Sequence, residues 1–147
     1  MISVDVLKRI FELNRNTIDI NVEGISHEES LRSVSGANSL NWVLGHLLLS
    51  RNRIFKVLNH PPFWTGDLAQ LYERGSANIH ASQAIQMNEI LELLAQSQVL
   101  LFNALDSLTT EDPEQLKKAA FFAFHESYHV GQTGMLSKLL GKEGAIK

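Results

Sequence analysis

The chain of 147 residues is predicted to be all-α, an antiparallel four-helix bundle with a long connection between its second and third helices. Two observations point there. Four long stretches repeat apolar residues at i, i+3 and i+4, and no segment alternates over five or more residues as a half-buried strand would. The composition, 44% hydrophobic and 20% charged, is that of an ordinary globular protein, and the length suits one domain over residues 1–147.

The first helix is expected from about Ser3 to Ile20, with Leu7, Phe11, Asn14 and Ile18 on one stripe and Val6, Ile10 and Leu13 beside it. Ser26 and Glu29 then form a capping-box pair that can start one short helix. The second long helix runs from Asn38 or Ser39 to Leu58, where "NHPP" stops it. Pro61, Pro62, Gly66 and Gly75 mark a long irregular connection. The third helix is expected from about Ser82 to Leu108 on the spacing of Met87, Ile90, Leu94, Leu101 and Leu105. Thr110 or Asp112 caps the last helix, Pro113 suits its first turn, and it ends at Leu140 with Gly141 as the residue that turns the chain away.

Composition excludes several kinds of chemistry. With no cysteine there is no disulfide, no Cys-zinc site and no cysteine nucleophile. The net charge of −3, with Lys and Arg scattered, argues against a nucleic-acid or anionic-membrane partner. The first sixteen residues carry charges throughout and lack the apolar core of a signal peptide, so a cytoplasmic location is expected.

The chemistry concentrates in the last helix. On a helical wheel Phe121, Phe122, Tyr128, Met135, Leu136, Leu139 and Leu140 cluster on one broad face, with His125 and His129 in its middle and Gln132 one turn further on. Two imidazoles at i and i+4 are close enough to share one ion. A lone core histidine is most often a hydrogen-bonded packing residue. A pair in one turn must both be desolvated and satisfied, and a metal does both at once. The opposite face, Ala120, Ala123, Ser127, Gly131 and Gly134, is a stripe of small residues. It lets another helix approach closely, inside the bundle or across a dimer interface.

"HESYH" matches H-E-x-x-H, the metal-binding pattern of many zinc proteases. The extended protease form needs Gly at 132 and His at 135, where this chain has Gln132 and Met135. The form with a later Glu has only Glu143, beyond the helix end. A third ligand must therefore come from upstream. His27, His60 and His80 fall in turns or loops and are expected to be solvated, whereas His46 lies within "NWVLGHLLLSRN" on the second long helix, able to face the last one. His46, His125 and His129 would leave open positions on the ion for water or substrate. Around them, Glu126 is a candidate general base or else a surface or interface charge, and Gln132 and Tyr128 are candidates for positions beside the ligands, with packing the commoner role for a tyrosine such as Tyr128. Trp42 and Asn41 are placed to line the mouth or cover the bundle end, and Phe63 and Trp64 to form a lid or anchor the long connection.

"NSLNWVLGHLL", "YERGS" and "HESYHVGQTGMLSKLLGKEG", together with the "ISHEESL" turn, resemble the DinB-like (DinB/YfiT-like) superfamily over essentially the whole chain. Carried over by position, the family's metal triad falls on the same His46, His125 and His129. The resemblance implies a divalent metal ion, often zinc or nickel, frequent dimerisation, and relatives that act as transferases or isomerases on low-molecular-weight thiols. Where many relatives carry arginine after the G-Q segment, this chain has Ser137 and Lys138.

Three neutral imidazoles leave an ion its full charge, enough to bring the pKa of a bound water to about 7 or to ionise a thiol near neutrality. With no cysteine in the chain, a nucleophilic sulfur must come from a cosubstrate. The expected function is thus metal-dependent transfer of a small thiol to an electrophile, the small-molecule substrate. The alternatives are metal-dependent hydrolysis of a small ester or amide, and a non-catalytic bundle whose ion joins two helices.

Overall fold

The computed structural model describes residues 3–76, 79–108 and 112–145. Its described residues form helices and no strands: α1 (Val4–Val22), α2 (His27–Ser30), α3 (Leu40–Val57), α4 (Asp67–Gln70), α5 (Met87–Asp106) and α6 (Pro113–Leu139). No helix among them is long and apolar enough to cross a membrane.

Local chemistry sets most boundaries. Ser3 and Ser39 cap α1 and α3 by accepting hydrogen bonds from the amides of Val6 and Trp42, and Ser26 with Glu29 completes the capping box of α2. Asp112 caps α6, accepting from the amides of Glu114 and Gln115, while the other expected cap, Thr110, lies outside the described residues. At the far end of α6, Gly141 takes φ 86°. The amides of Gly141 and Lys142 donate back to the carbonyls of Lys138 and Ser137, the paired bonds of a Schellman turn. Asn59, at φ 57°, closes α3 in the same way.

The third long helix begins at Met87 rather than near Ser82. The amide of Ile85 donates to the Tyr72 hydroxyl at 3.0 Å, and its carbonyl accepts from Asn41 Nδ2 at 2.9 Å. These tertiary bonds claim the backbone groups that a longer helix would have used. His27 is not a solvated loop residue: its Nδ1 accepts from the Met87 amide at 3.3 Å, capping the start of α5 from another element. His60 is half-buried against the Phe55 ring, 5.3 Å between centroids, and His80 is exposed as expected.

The four long helices touch in a closed ring, α1 on α6, α6 on α3, α3 on α5 and α5 on α1. Their directions correct the expectation of an antiparallel arrangement throughout. Lys8 reaches Asp106 and Arg15 reaches Leu91, so α1 and α5 run oppositely; Gln115 reaches Val57 while His129 meets His46, so α3 and α6 do too. Asn14 meets Ser127 and Asn21 meets Thr133, which makes α1 and α6 parallel. Asn41 meets Ile85 and Arg51 meets Leu94, so α3 and α5 are also parallel. The long connection after α3 carries the chain back along the molecule, which a short turn could not do.

Candidate metal centre

His46 sits on α3 between Trp42 and the long connection. Its position begins with Gly45. A Cβ placed there would lie 2.0 Å from Tyr72 Cδ1, so the missing side chain is what lets the tyrosine ring rest on the helix. The Tyr72 hydroxyl donates to Asn41 Oδ1 at 2.9 Å, fixing that ring from its far end. With the ring seated, the Tyr72 carbonyl comes within 2.8 Å of His46 Nδ1. A carbonyl only accepts, so His46 carries its proton on Nδ1 and presents Nε2 as a lone pair. Trp42 stacks on the imidazole at 4.8 Å with an interplanar angle of 7°, and its indole N–H donates to Ser76 Oγ.

The other two imidazoles come from one turn of α6. His129 Nδ1–H donates to Gln132 Oε1 at 2.6 Å, which also turns its Nε2 inward. His129 Nε2 lies 3.2 Å from His125 Nε2. Two nitrogens bound to one ion at ~2.0–2.1 Å in tetrahedral geometry stand roughly 3.3 Å apart, so that pair has the spacing of co-ligands. Ligand atoms of His46, His125 and His129 all lie within 4.8 Å of one another, so the three histidines can hold a metal ion. Among the described residues they are the one group of three or more His, Asp or Glu side chains so arranged.

All three rings are held below their ordinary pKa near 6.5. Burial is the main cause for each. His125 is pushed furthest, to about 4, because His129, His46, Arg53 and Arg74 add to the effect of burial. Neutral imidazoles are the form that ligates metal. The donor set, its protonation and two pinned tautomers fit a divalent cation. Imidazole suits zinc and nickel alike.

Glu126 does not join this cluster. It is 4% exposed and pairs with the buried Arg51, with Nε to Oε2 and Nη2 to Oε1 both at 3.1 Å. The remaining guanidinium hydrogens go to the Leu94 carbonyl, Ser97 Oγ and Gln98 Oε1. The Glu of "HESYH" is therefore a core ion pair binding α6 to α3 and α5, not a surface or interface charge. Nothing in this arrangement reproduces the general-base placement of a zinc protease.

The other sequence candidates separate cleanly. Gln132 touches His129 directly. Tyr128 is 60% exposed with its ring edge-on to His129 at 5.3 Å, at the outer rim of the site. Asn41 is fully buried and holds Tyr72 and Ile85, so it braces the long connection instead of lining a mouth. Phe63 and Trp64 are tied by their amides to Asn52 Oδ1 on α3, and Trp64 packs on Tyr72 at 5.5 Å. Both therefore anchor the connection. The residues missed from sequence are Tyr72, Arg51 and Arg53. Gly45 was the available signal for the first, since a mid-helix glycine beside a histidine marks a close approach.

No family model matches the chain, and no curated protein matches it either.

Proposed function

We propose that this chain is a divalent-metal-dependent enzyme of the DinB-like four-helix-bundle kind. Its metal is held by His46, His125 and His129, and its reaction transfers a low-molecular-weight thiol to a small electrophilic substrate. The observation that carries the reading is the convergence of three neutral imidazoles, two of them with Nδ1 already committed to Tyr72 and Gln132. That is the arrangement of ligands fixed from behind. When bound, a divalent ion on three neutral ligands supplies positive charge that stabilises an anionic nucleophile and favours the thiolate over the thiol.

The chain's own residues supply the rest. Trp42 covers His46 on one ring face and keeps water from it. Arg53, paired with Glu73 at 3.1 Å, and Arg74 lie near enough to His125 to disfavour its protonation and so keep it in the ligating form. In the transfer itself, a sulfur–carbon bond forms while the bond to the leaving group breaks with its electron pair, and the thiol proton passes to solvent.

The test is metal analysis of untagged protein with His46→Ala and His125→Ala, followed by electrophile consumption with and without added thiol. About one ion per chain, lost in both variants, with thiol-dependent turnover abolished by a chelator, supports the reading. Turnover without thiol moves the assignment to hydrolysis of a small ester or amide. A tightly held ion, no turnover, and a large loss of stability on chelation make the site structural. No bound metal after reconstitution refutes the proposal.

A further inference from the structure

A small cavity adjoins the histidine site in the interior, where α1, α3 and α6 meet. Its polar lining is Ser50 and Arg51 of α3 with His125 and Glu126 of α6, and the rings of Phe11 and Phe122 supply apolar wall. The centre of a water molecule has about 10 Å³ to move in there, close to the ~10–15 Å³ that a single water needs. Ser50 stands four residues after His46, one turn further along α3. Because α3 and α6 run oppositely, the register that sets His46 against His129 sets Ser50 against His125.

Three of these groups have hydrogen-bonding capacity to spare. Ser50 is 7% exposed, and its hydroxyl is buried without a protein partner among the described residues. Folded interiors leave few polar groups in that condition. The Glu126 carboxylate takes one bond from Arg51 on each oxygen and keeps a further acceptor position on each. Arg51 itself has nothing left to give, since its N–H groups all go to Glu126, Leu94, Ser97 and Gln98. His125 turns Nε2 to His129, which leaves Nδ1 as the ring nitrogen for the cavity. His46 and His129 rest their Nδ1 atoms on Tyr72 and Gln132, whereas His125 has no such partner among the described residues.

We propose that one water molecule occupies this cavity and joins Ser50 Oγ, a Glu126 oxygen and His125 Nδ1. Ser50 and Glu126 are then positioning residues for the third histidine. With Nε2 turned to an ion, His125 carries its proton on Nδ1 and needs an acceptor there. The water accepts from that N–H and from the Ser50 hydroxyl and donates to the carboxylate, the three bonds usual for a buried water. The role of Ser50 rests on the metal reading of the three histidines; the water itself does not.

The test joins a high-resolution crystal structure of the metal-free chain to zinc titrations of the wild type, Ser50→Val, Ser50→Ala and Ser137→Ala. A density peak is expected within ~2.6–3.2 Å of Ser50 Oγ, the Glu126 carboxylate and His125 Nδ1. Ser50→Val puts methyl groups where the hydroxyl and the water stood, so zinc affinity should fall about tenfold to a hundredfold. Ser50→Ala leaves the water its other partners and should lose less. Ser137→Ala deletes a buried hydroxyl about two turns beyond His129, one that bonds the Asn21 carbonyl, and should change nothing at the site. Cobalt(II) in place of zinc gives a readout that mere packing does not move. Its visible bands should shift in Ser50→Val and Ser50→Ala and stay in place in Ser137→Ala. A cavity without density overturns the proposal. So does Ser50→Val that melts higher and binds zinc as tightly as the wild type, the behaviour of a dry cavity filled by carbon, or an equal loss in Ser137→Ala. A wild type that binds no zinc overturns the metal site and the role of Ser50 with it, while the density still decides the water, so the two failures read differently.

Discussion

The ring of Tyr72 occupies the space that a side chain at Gly45 would fill, 2.0 Å from a Cβ built there, and the carbonyl of the same tyrosine holds His46 at 2.8 Å. One glycine thus seats the residue that orients its neighbour. Gly45→Ala should lower stability by about 1–3 kcal/mol, as overpacking does. It should also weaken metal binding, because the ring cannot return to its seat. Thermal unfolding and a zinc titration on the same sample check both; a variant as stable and as tight as the wild type would disprove the link.

Gln132 fixes the ring of His129 through a 2.6 Å bond. Gln132→Ala should reduce metal affinity about tenfold to a hundredfold, the usual effect of losing a partner behind a ligand. The fold should be intact, since Gln132 is only half-buried. Competition against a chelating dye measures the affinity directly, and an unchanged value would count against the assignment.

Arg51 and Glu126 are both buried and bonded at two points. Glu126→Ala leaves the guanidinium in the core without its counter-charge, which should cost about 3–5 kcal/mol. Replacing a surface carboxylate such as Glu12 should cost far less. Urea unfolding of the two variants distinguishes a core ion pair from a catalytic carboxylate, which could be removed with little loss of stability.

Acid should act on the metal-free fold through the three histidines. Their folded-state pKa values lie below the ordinary 6.5, to about 4 in His125. Well above pH 6.5 both folded and unfolded chains hold them neutral, so they contribute no pH dependence there. As pH falls below 6.5 the unfolded chain takes up protons first, and stability declines until the folded rings titrate as well. Metal affinity should fall over the same window as protons compete for the nitrogens. Urea midpoints at pH 7 and pH 5 test this: the drop should shrink in His125→Asn, and an equal drop in both proteins would place its cause elsewhere.

The sequence by itself determined the helical class, most helix ends and the three histidines. Those features rest on short-range chemistry: a periodic apolar stripe, serine and aspartate caps, and imidazoles at i and i+4 such as His125 and His129. Tertiary structure decided everything that requires knowing what lies opposite. Whether Glu126 meets solvent, the histidines or Arg51 depends on the rotation of α6 against α3, and a wheel for one helix leaves that free. Tyr72 reaches His46 from 26 residues away, across a connection with no periodicity to read. The start of α5 at Met87 was set by Tyr72, Asn41 and His27, which outbid local helix propensity for the backbone of the residues before it. The relative directions of the helices followed from where that connection returned the chain, because apolar periodicity is the same read in either direction.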